Sequence, residues 1–243
     1  MAARAGLLTI DGGNSTISCR LGAHALGLDV EAADVRPRIA AFAGEHGADR
    51  VIAVTVVERT AAVLDAVAAA ARLPLRLVGR DVACPLPLRY RTPSTLGPDR
   101  WLGALAAHRA HGRAITVDCG SATTVNLIEA DGTFCGGAIG PGLRAFVAGM
   151  AAVTPALPAA DLDGDPEVPG GATDAAITAG VLLGYAGLVE RLVADTQRAA
   201  GGPATVVLTG GNAERLRRHS RLRAIHVPDL VHRGLTELDS CGS

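Results

Sequence analysis

The chain has 243 residues, a formal net charge of −1 and a hydrophobic fraction of 49%, of which aromatic residues form only a small part. This length is enough for one large or two small domains with a buried core of Ala, Val, Leu and Ile. The near-neutral charge argues against a nucleic-acid partner, because such partners favour a basic surface. All 23 basic residues are arginine, which excludes a P-loop with its Gly-Lys-Ser/Thr signature and any Schiff-base lysine.

Cysteine usage and hydropathy indicate a soluble protein of a reducing compartment. The five cysteines are scattered, and no pair has the spacing of a zinc knuckle or a redox motif. Asp11 interrupts the N-terminal apolar run before it reaches the length of a signal peptide. No apolar stretch reaches transmembrane length without a Gly, a Pro or a charge. We therefore predict a cytoplasmic protein with reduced thiols and no membrane partner.

The first half of the chain predicts alternating strands and helices. Apolar runs and turn signals predict strands at 7–10, 16–21, 25–30, 51–57 and 75–78, and helices at 35–46 and 58–72. Four prolines then predict a loop over 80–97 that extends to Pro98. Pro98 suits the first turn of a helix that runs to about His111.

The second half begins as the first does. Strands are predicted at 114–117, 123–129, 133–139 and 206–208, helices at 142–152 and 173–199, and a surface loop at 154–171. Asp131-Gly132 is a strong hairpin signal. The repeated order of strand, Asp-Gly turn, strand, strand and helix predicts an internal duplication, with domains 1–112 and 113–243 and a cleft between them.

Three glycine turns follow apolar strands. In the first, Asp11-Gly12-Gly13-Asn14-Ser15-Thr16, glycine lets the backbone approach an anion, the polar side chains add donors, and Asp11 can hold a cation. Its alternative interpretation is an ordinary Asp-Gly hairpin turn. The second, Asp118-Cys119-Gly120-Ser121, repeats the pattern, so the two turns together could grip a triphosphate. The third, Thr209-Gly210-Gly211-Asn212, suits a flat base or a plain strand-to-helix connection.

Asp99 lies between the first two turns in the sequence, next to Arg100 and at the start of an apolar helix. A proton acceptor between two phosphate-binding turns predicts phosphoryl transfer to a hydroxyl. The alternative is a first-turn carboxylate that only complements the helix macrodipole.

Other polar residues have weaker signals. Tyr90, in a polar loop, is either a ligand contact or a loop anchor, and Thr173 is either a ligand contact or a helix cap. His108 and His111 are spaced for one helix face but lack a third ligand. The acidic run at 161–165 lacks the Glu that a calcium loop requires, and we interpret it as solvated.

With these segments in hand, the sequence resembles the type III pantothenate kinases, relatives of the Bvg accessory factors, in the superfamily of acetate kinase, sugar kinases, Hsp70 and actin. Five ordered motifs carry the resemblance, namely Asp11 to Ser15, Gly97 to Arg100 with Tyr90 upstream, Asp118 to Thr124, Gly136 to Gly142, and Thr154 to Pro158.

The resemblance implies an α/β fold of two duplicated ribonuclease-H-like, actin-like ATPase domains in a homodimer. It implies ATP-dependent phosphorylation of pantothenate to 4'-phosphopantothenate, the first step of coenzyme A biosynthesis, with ATP, Mg²⁺ and a monovalent cation such as K⁺ or NH₄⁺. Asp99 is then the general base. By the same resemblance, ATP is held by Asp11, Gly12, Gly13, Asn14, Ser15, Thr16, Ile17, Ser18 and Ser121. Pantothenate is held by Tyr90, Gly97, Pro98, Asp99 and Arg100, and by Thr173 of the partner subunit. The monovalent cation is held by Asp118.

The sequence departs from the family pattern at several positions. Ser121 replaces a Thr but keeps the hydroxyl, and Gly12 stands where a bulkier residue is usual. Gly103 stands where many members have Asn. Asn126 replaces an Asp, which bears on cation binding. Two rival functions fit the same fold, a non-catalytic nucleotide-binding regulator and a kinase for another small hydroxyl substrate.

Overall fold

The structure, a computed structural model, describes residues 6–241, with the side chain of Cys241 left out. Its first half contains β1 (Leu7–Gly12), β2 (Thr16–Leu21), β3 (His24–Asp29), α1 (Val35–Glu45), β4 (Arg50–Thr55), α2 (Glu58–Ala71) and β5 (Leu75–Val78). A short 3-10 helix at Pro93–Thr95 precedes α3 (Pro98–His111).

The second half contains β6 (Ala114–Cys119), β7 (Ala122–Ile128), β8 (Phe134–Pro141), α4 (Leu143–Val153), α5 (Thr173–Ala199), β9 (Thr205–Thr209), α6 (Ala213–His219), β10 (Ile225–His226) and α7 (Leu230–Cys241). The predicted elements are therefore confirmed in type and order. The strand predicted to run through Val57 ends at Thr55, because the Val57 N–H turns to donate to the Thr55 hydroxyl at 3.0 Å.

The two sheets have the same topology, which confirms the predicted duplication and the α/β fold class. The first has the order β3-β2-β1-β4-β5 and the second β8-β7-β6-β9-β10. In each, the central strand pairs antiparallel with the next strand along the chain and parallel with the fourth. Because β1, β4 and β5 are parallel, their carboxyl ends meet at one edge, and the same holds for β6, β9 and β10.

Each sheet has its own apolar core. In the first, Leu8 and Ile10 of β1 and Ala53 of β4 pack with α1 and α2 residues such as Ile39 and Leu64. The core of the second sheet includes the following buried residues: Val117, Val125, Leu143, Tyr185, Val189 and Leu208. Small aliphatic side chains at alternating strand positions fill both cores, as the low aromatic content predicts.

Within residues 6–241, α5 alone is long and apolar enough to cross a membrane. Half of its most apolar window is buried, and Ile177, Val181, Tyr185 and Val189 pack in the core of the second sheet. This burial identifies α5 as a core helix of the second unit.

The chain divides into two compact units, and the C-terminal helix belongs to the first. That unit comprises residues up to Pro87, Arg91–Ala106 and residues from Leu230 on; the second comprises Leu88–Tyr90 and Ala107–Asp229. Helix α7 packs on β1 and β4, with Leu230, Leu235 and Leu238 buried. A single division at residue 112 assigns this helix to the other half.

The four cysteines with described side chains are free thiols, in keeping with the predicted reduced state. Burial raises the pKa of Cys19 and of Cys119 to about 12, so both are neutral core groups at physiological pH.

Candidate functional site

The first glycine turn joins β1 to β2 and exposes its polar side chains. Asp11 is half-buried at the end of β1, and Asn14, Ser15 and Thr16 are exposed. The Gly13 N–H donates to the Thr16 carbonyl at 2.9 Å and closes the turn. Since this amide is used internally, any anion at the turn depends more on the exposed side chains than on the glycine backbone.

Gly12 is buried where the turn meets β4 and α2. A Cβ atom there would lie 2.8 Å from Thr60 Cγ2 and 3.1 Å from Thr55 Oγ1. The Thr55 hydroxyl donates to the Gly12 carbonyl at 2.8 Å. Glycine at this position therefore permits the close packing that holds the Asp11 turn against the end of β4.

Asp99 occupies the first turn of α3, and Gly97 makes room for its carboxylate. A Cβ atom on Gly97 would lie 2.6 Å from Asp99 Oδ1. The Arg100 N–H donates to the Gly97 carbonyl at 3.1 Å, which tightens the backbone around the acid. This contact gives a physical reason for the glycine two residues before the acid.

The environment of Asp99 favours its neutral form. Burial raises the pKa of Asp99 above its ordinary value, against the opposing effects of the Arg100 backbone N–H and the Arg100 charge. Arg100 itself is buried, with 8% of its surface exposed. A carboxyl with a raised pKa is a better proton acceptor than an ordinary aspartate once it is ionised, as a general base requires.

Asp11 and Asp99 belong to the same edge of the first sheet. Strand β1 ends with Asp11 and Gly12. Gly79 follows β5, and Pro98 lies against it, since a Cβ atom built on Gly79 would lie 3.6 Å from Pro98 Cγ. The strand order β1-β4-β5 places these two ends two strands apart, about 10 Å at the usual spacing. The first unit thus places at one end of its sheet the turn and the acid that the sequence separates by more than eighty residues.

The second glycine turn, at the end of β6, is interlocked with the third, at the end of β9. Gly210 has φ +93°, and a Cβ atom there would lie 2.4 Å from Asp118 Oδ1 and 2.6 Å from the Cys119 nitrogen. The Asn212 N–H donates to the Cys119 carbonyl at 2.9 Å. In the sequence these two turns are far apart. The parallel pairing of Asp118 with Thr209 brings them together into one structure.

Two further glycines shape the second unit around this turn. A Cβ atom on Gly142 would lie 2.3 Å from the Gly120 carbonyl and 2.5 Å from that of Ser121. Gly136 has φ +85°, and its Cβ position would be 3.1 Å from the Tyr90 ring. The Gly136 to Gly142 motif therefore accommodates the Ser121 turn at one end and Tyr90 at the other.

Tyr90 is anchored along β8. The Arg89 N–H donates to the Phe134 carbonyl at 2.9 Å, and the Tyr90 and Phe134 rings meet edge to face with centroids 6.1 Å apart. These contacts support the loop-anchor interpretation of Tyr90 and leave a ligand role as a prediction.

Thr173 is exposed at the first position of α5. The residue at the cap position is Ala172, which makes no side-chain cap hydrogen bond. The capping interpretation of Thr173 is therefore wrong, because the helix starts at the threonine itself. Its role as a ligand contact stays a prediction.

Asn126 lies under the second turn, in a buried polar cluster on β6 and β7. It is 1% exposed, and its Nδ2 atom lies 3.2 Å from both the Thr116 and the Thr124 hydroxyl oxygens. An amide here donates without adding a charge, whereas an Asp at this position would bring a buried carboxylate. Asparagine thus keeps the cluster hydrogen-bonded without a negative charge beneath Asp118.

The metal-binding side chains of the described residues fit a metal ion that is bound mainly by the phosphates of the substrate. Within residues 6–241 no group of three or more His, Cys, Asp or Glu side chains could hold a metal ion. Mg²⁺ in kinases is commonly bound by one or two carboxylates together with substrate phosphates, which Asp11 alone can satisfy. His108 is instead used structurally, with its Nδ1 atom 3.2 Å from the Gly112 carbonyl oxygen.

Comparison with solved structures identifies the fold. The chain superimposes on a putative Baf family transcriptional activator from Campylobacter jejuni with a TM-score of 0.64 and 20% identity, over 97% of this chain and 98% of that one. Acetate kinase from Porphyromonas gingivalis gives a TM-score of 0.51 at 12% identity, over 98% and 99% of the two chains. Both likenesses support the duplicated actin-like kinase fold.

Comparison of sequences identifies the family. A type III pantothenate kinase from Rhodopirellula baltica is 43% identical over 166 residues, which cover 65% of this chain and 59% of the relative. One from Phenylobacterium zucineum is 37% identical over 165 residues, covering 67% and 63%. The matched part thus spans about three fifths of the length of these relatives. The family profile described as type III pantothenate kinase matches residues 7–195, and the chain belongs to this family.

Proposed function

We propose that this protein transfers the γ-phosphoryl group of ATP to the primary hydroxyl of pantothenate and so starts coenzyme A biosynthesis. The single observation that carries the proposal is Asp99, a half-buried acid at the same sheet edge as the Asp11 turn, in a chain of this family. Phosphoryl transfer asks a protein mainly for alignment and charge stabilisation, and one positioned acceptor for the hydroxyl proton completes the requirement.

In this proposal Asp99 accepts the proton of the pantothenate hydroxyl as its oxygen attacks the γ-phosphorus. Gly97 leaves space for the carboxylate to take up its position, and Pro98 fixes the start of α3 beneath it. Arg100 and Tyr90 are assigned to pantothenate, where a guanidinium suits a planar carboxylate and a phenol suits a hydrogen bond. General-base help of this kind contributes about 10²–10⁴ in rate.

ATP is assigned to residues 11–18 and to Ser121. The exposed Asn14, Ser15 and Thr16 side chains supply the donors for the phosphates. Asp11 is the carboxylate suited to Mg²⁺, and a divalent ion bound there with ATP neutralises phosphate charge.

Three finer assignments belong to the same proposal. Asp118, held against Gly210, is assigned to a monovalent cation, K⁺ or NH₄⁺. Thr173 is assigned to pantothenate in the site of a partner subunit, which requires a homodimer. The protein is assigned to the cytoplasm, where its free thiols are stable.

The rival functions differ in what they leave unexplained. A non-catalytic regulator of this fold, as the name of the Campylobacter jejuni protein suggests, does not need a half-buried acid at Asp99. A kinase for another small alcohol fits the nucleotide residues equally well and differs only in the acceptor pocket. Pantothenate-dependent ADP release therefore distinguishes the proposed function from both rivals.

The test is a coupled ADP-release assay with and without pantothenate, in the presence and absence of K⁺. We expect ADP release that requires pantothenate and increases with K⁺. In Asp99→Asn, kcat should fall about 10²–10⁴-fold because the proton acceptor is lost.

The matched control is Glu214→Gln, which removes a first-turn carboxylate from α6. If Asp99 served only the helix macrodipole, the two variants should behave alike. ADP release that ignores pantothenate would rule out the proposed substrate, and full activity of Asp99→Asn would rule out the proposed base.

A further inference from the structure

The C-terminal helix carries a buried histidine that is hydrogen-bonded to both strands of the first glycine turn. His232 on α7 is 6% exposed. Its Nδ1 atom lies 2.8 Å from Thr9 Oγ1 on β1, and its Nε2 atom lies 3.0 Å from Ser18 Oγ on β2. One imidazole ring therefore connects the two strands that enter and leave the Asp11 turn.

The hydrogen bonds favour one tautomer of this histidine. If the Thr9 hydroxyl donates its proton to the Arg20 carbonyl at 3.3 Å, it accepts from His232. Nδ1 of His232 then carries the proton, and Nε2 accepts from the Ser18 hydroxyl. This assignment satisfies both ring nitrogens and both hydroxyl protons within the protein.

The contacts of His232 lie on the face of the sheet that carries Asp11. Thr9 and Asp11 are two residues apart on β1, so their side chains project from the same face. Ser18 is the cross-strand partner of Asp11, and directly paired residues also share a face. His232 thus contacts the same-face neighbour of Asp11 along the strand and its neighbour across the hairpin.

The same helix packs backbone to backbone on the helix that carries Asp99. A Cβ atom on Gly234 would lie 2.3 Å from the Leu102 carbonyl oxygen, and one on Gly103 would lie 3.6 Å from Leu230 Cδ2. Glycine at position 234 lets α7 and α3 approach closely, whereas the contact at Gly103 is an ordinary van der Waals contact. Helix α7 therefore contacts α3 one turn after Asp99 and the β1–β2 hairpin next to Asp11.

We propose that His232 is a positioning residue. Through Thr9 and Ser18 it holds the Asp11 turn in the geometry that binds ATP, and because its helix packs against α3 it keeps this turn at a fixed position relative to Asp99. The proposal rests on ATP binding at residues 11–18, which the proposed function assigns. An apolar ring would fill the same space, so the two hydrogen bonds give the histidine a role that packing does not require. His232 lies beyond the part of the chain that the family profile matches.

The test measures the Kd of Mg-ATP by isothermal titration calorimetry, together with kcat and KM. His232→Phe keeps a ring of similar size and loses both hydrogen bonds. We expect ATP binding to weaken about tenfold and kcat/KM for ATP to fall about 10–100-fold, because a displacement of about 1 Å at a reacting group costs that much. His232→Asn retains a donor near the Nδ1 position and should recover part of the loss.

Two further variants separate positioning from loss of stability. Asp239→Asn loosens α7 at its other end, where Asp239 pairs with Arg50 and Arg76 at the start of β4 and in β5, away from the turn. We expect its thermal midpoint to fall while its Kd for ATP stays within about twofold of the wild-type value. Adding Ser18→Ala to His232→Phe should cost less than the two single effects combined, because both substitutions remove the hydrogen bond between Ser18 and His232.

A failure of the positioning role can be distinguished from a failure of the proposed function. If the protein binds Mg-ATP but does not phosphorylate pantothenate, the proposed substrate is wrong while the Kd series still tests His232. Wild-type affinity in His232→Phe, or an equal loss of affinity in Asp239→Asn, would overturn the positioning role, and so would a wild-type protein that does not bind Mg-ATP.

Discussion

The Asp99 carboxyl combines a location suited to catalysis with an environment that opposes its charge. Burial disfavours the ionised form more than the neighbouring Arg100 favours it, so the pKa of Asp99 is raised in the folded protein. In the unfolded chain the same group has an ordinary pKa, since it is fully solvated there. The folded state therefore loses stability when this acid ionises, as is common for residues kept for function rather than for folding.

The first prediction concerns the stability of Asp99→Asn. Because the folded-state pKa of Asp99 is raised, its contribution is fully present below the unfolded pKa and is lost as pH rises through the folded pKa. Once the acid has ionised, the wild type has lost this contribution, whereas Asn never ionises. We expect a higher thermal midpoint for Asp99→Asn at pH 7 and no such gain near pH 3, measured by circular dichroism. A variant less stable than the wild type at pH 7 would show that the ionised acid stabilises the fold.

At the scale of elements, the second unit is organised by glycines at the points where turns touch. Gly142 contacts the Ser121 turn, and Gly210 contacts Asp118 and the backbone of Cys119. Such contacts fix the turns to each other without a side chain between them. The spacing of the motifs is therefore set by packing between strand ends as well as by any ligand.

The second prediction compares Gly210→Ala with Gly211→Ala. Gly210 has φ +93° and no room for a Cβ atom, so alanine there must strain the backbone and push Asp118 aside. We expect a loss of at least about 2 kcal/mol in the free energy of unfolding, from urea titration. At Gly211 a Cβ atom meets nothing within 4 Å, and the loss should be at most about 1 kcal/mol. Equal losses would mean that the interlocked turns do not stabilise the unit.

At the scale of the whole molecule, the sequence predicts the elements and their duplication but not every contact between them. Strands and turns were predictable because apolar alternation and Asp-Gly signals are local. The contact between Gly210 and Asp118 was not predictable, because it depends on which strands lie side by side. The buried Leu235 shows that one face of α7 is apolar, yet an apolar face does not state which sheet covers it. For the same reason the contacts of His232 could not be predicted from the sequence, since its partners Thr9 and Ser18 are more than two hundred residues away.

The last prediction follows from the place of α7 in the first unit. A fragment of residues 1–112 contains all of the first sheet but leaves uncovered the faces of β1 and β4 on which α7 packs. It also leaves Arg50 without its partner Asp239. We expect this fragment to bind a hydrophobic dye and to lack a cooperative thermal transition, and we expect a fragment that carries residues 230–243 on a flexible linker to regain one. The same linked fragment with Leu235→Asp should fail to do so, since that side chain is fully buried. Cooperative unfolding of residues 1–112 alone would show instead that the first sheet is stable without α7 and that the division at residue 112 separates two independent domains.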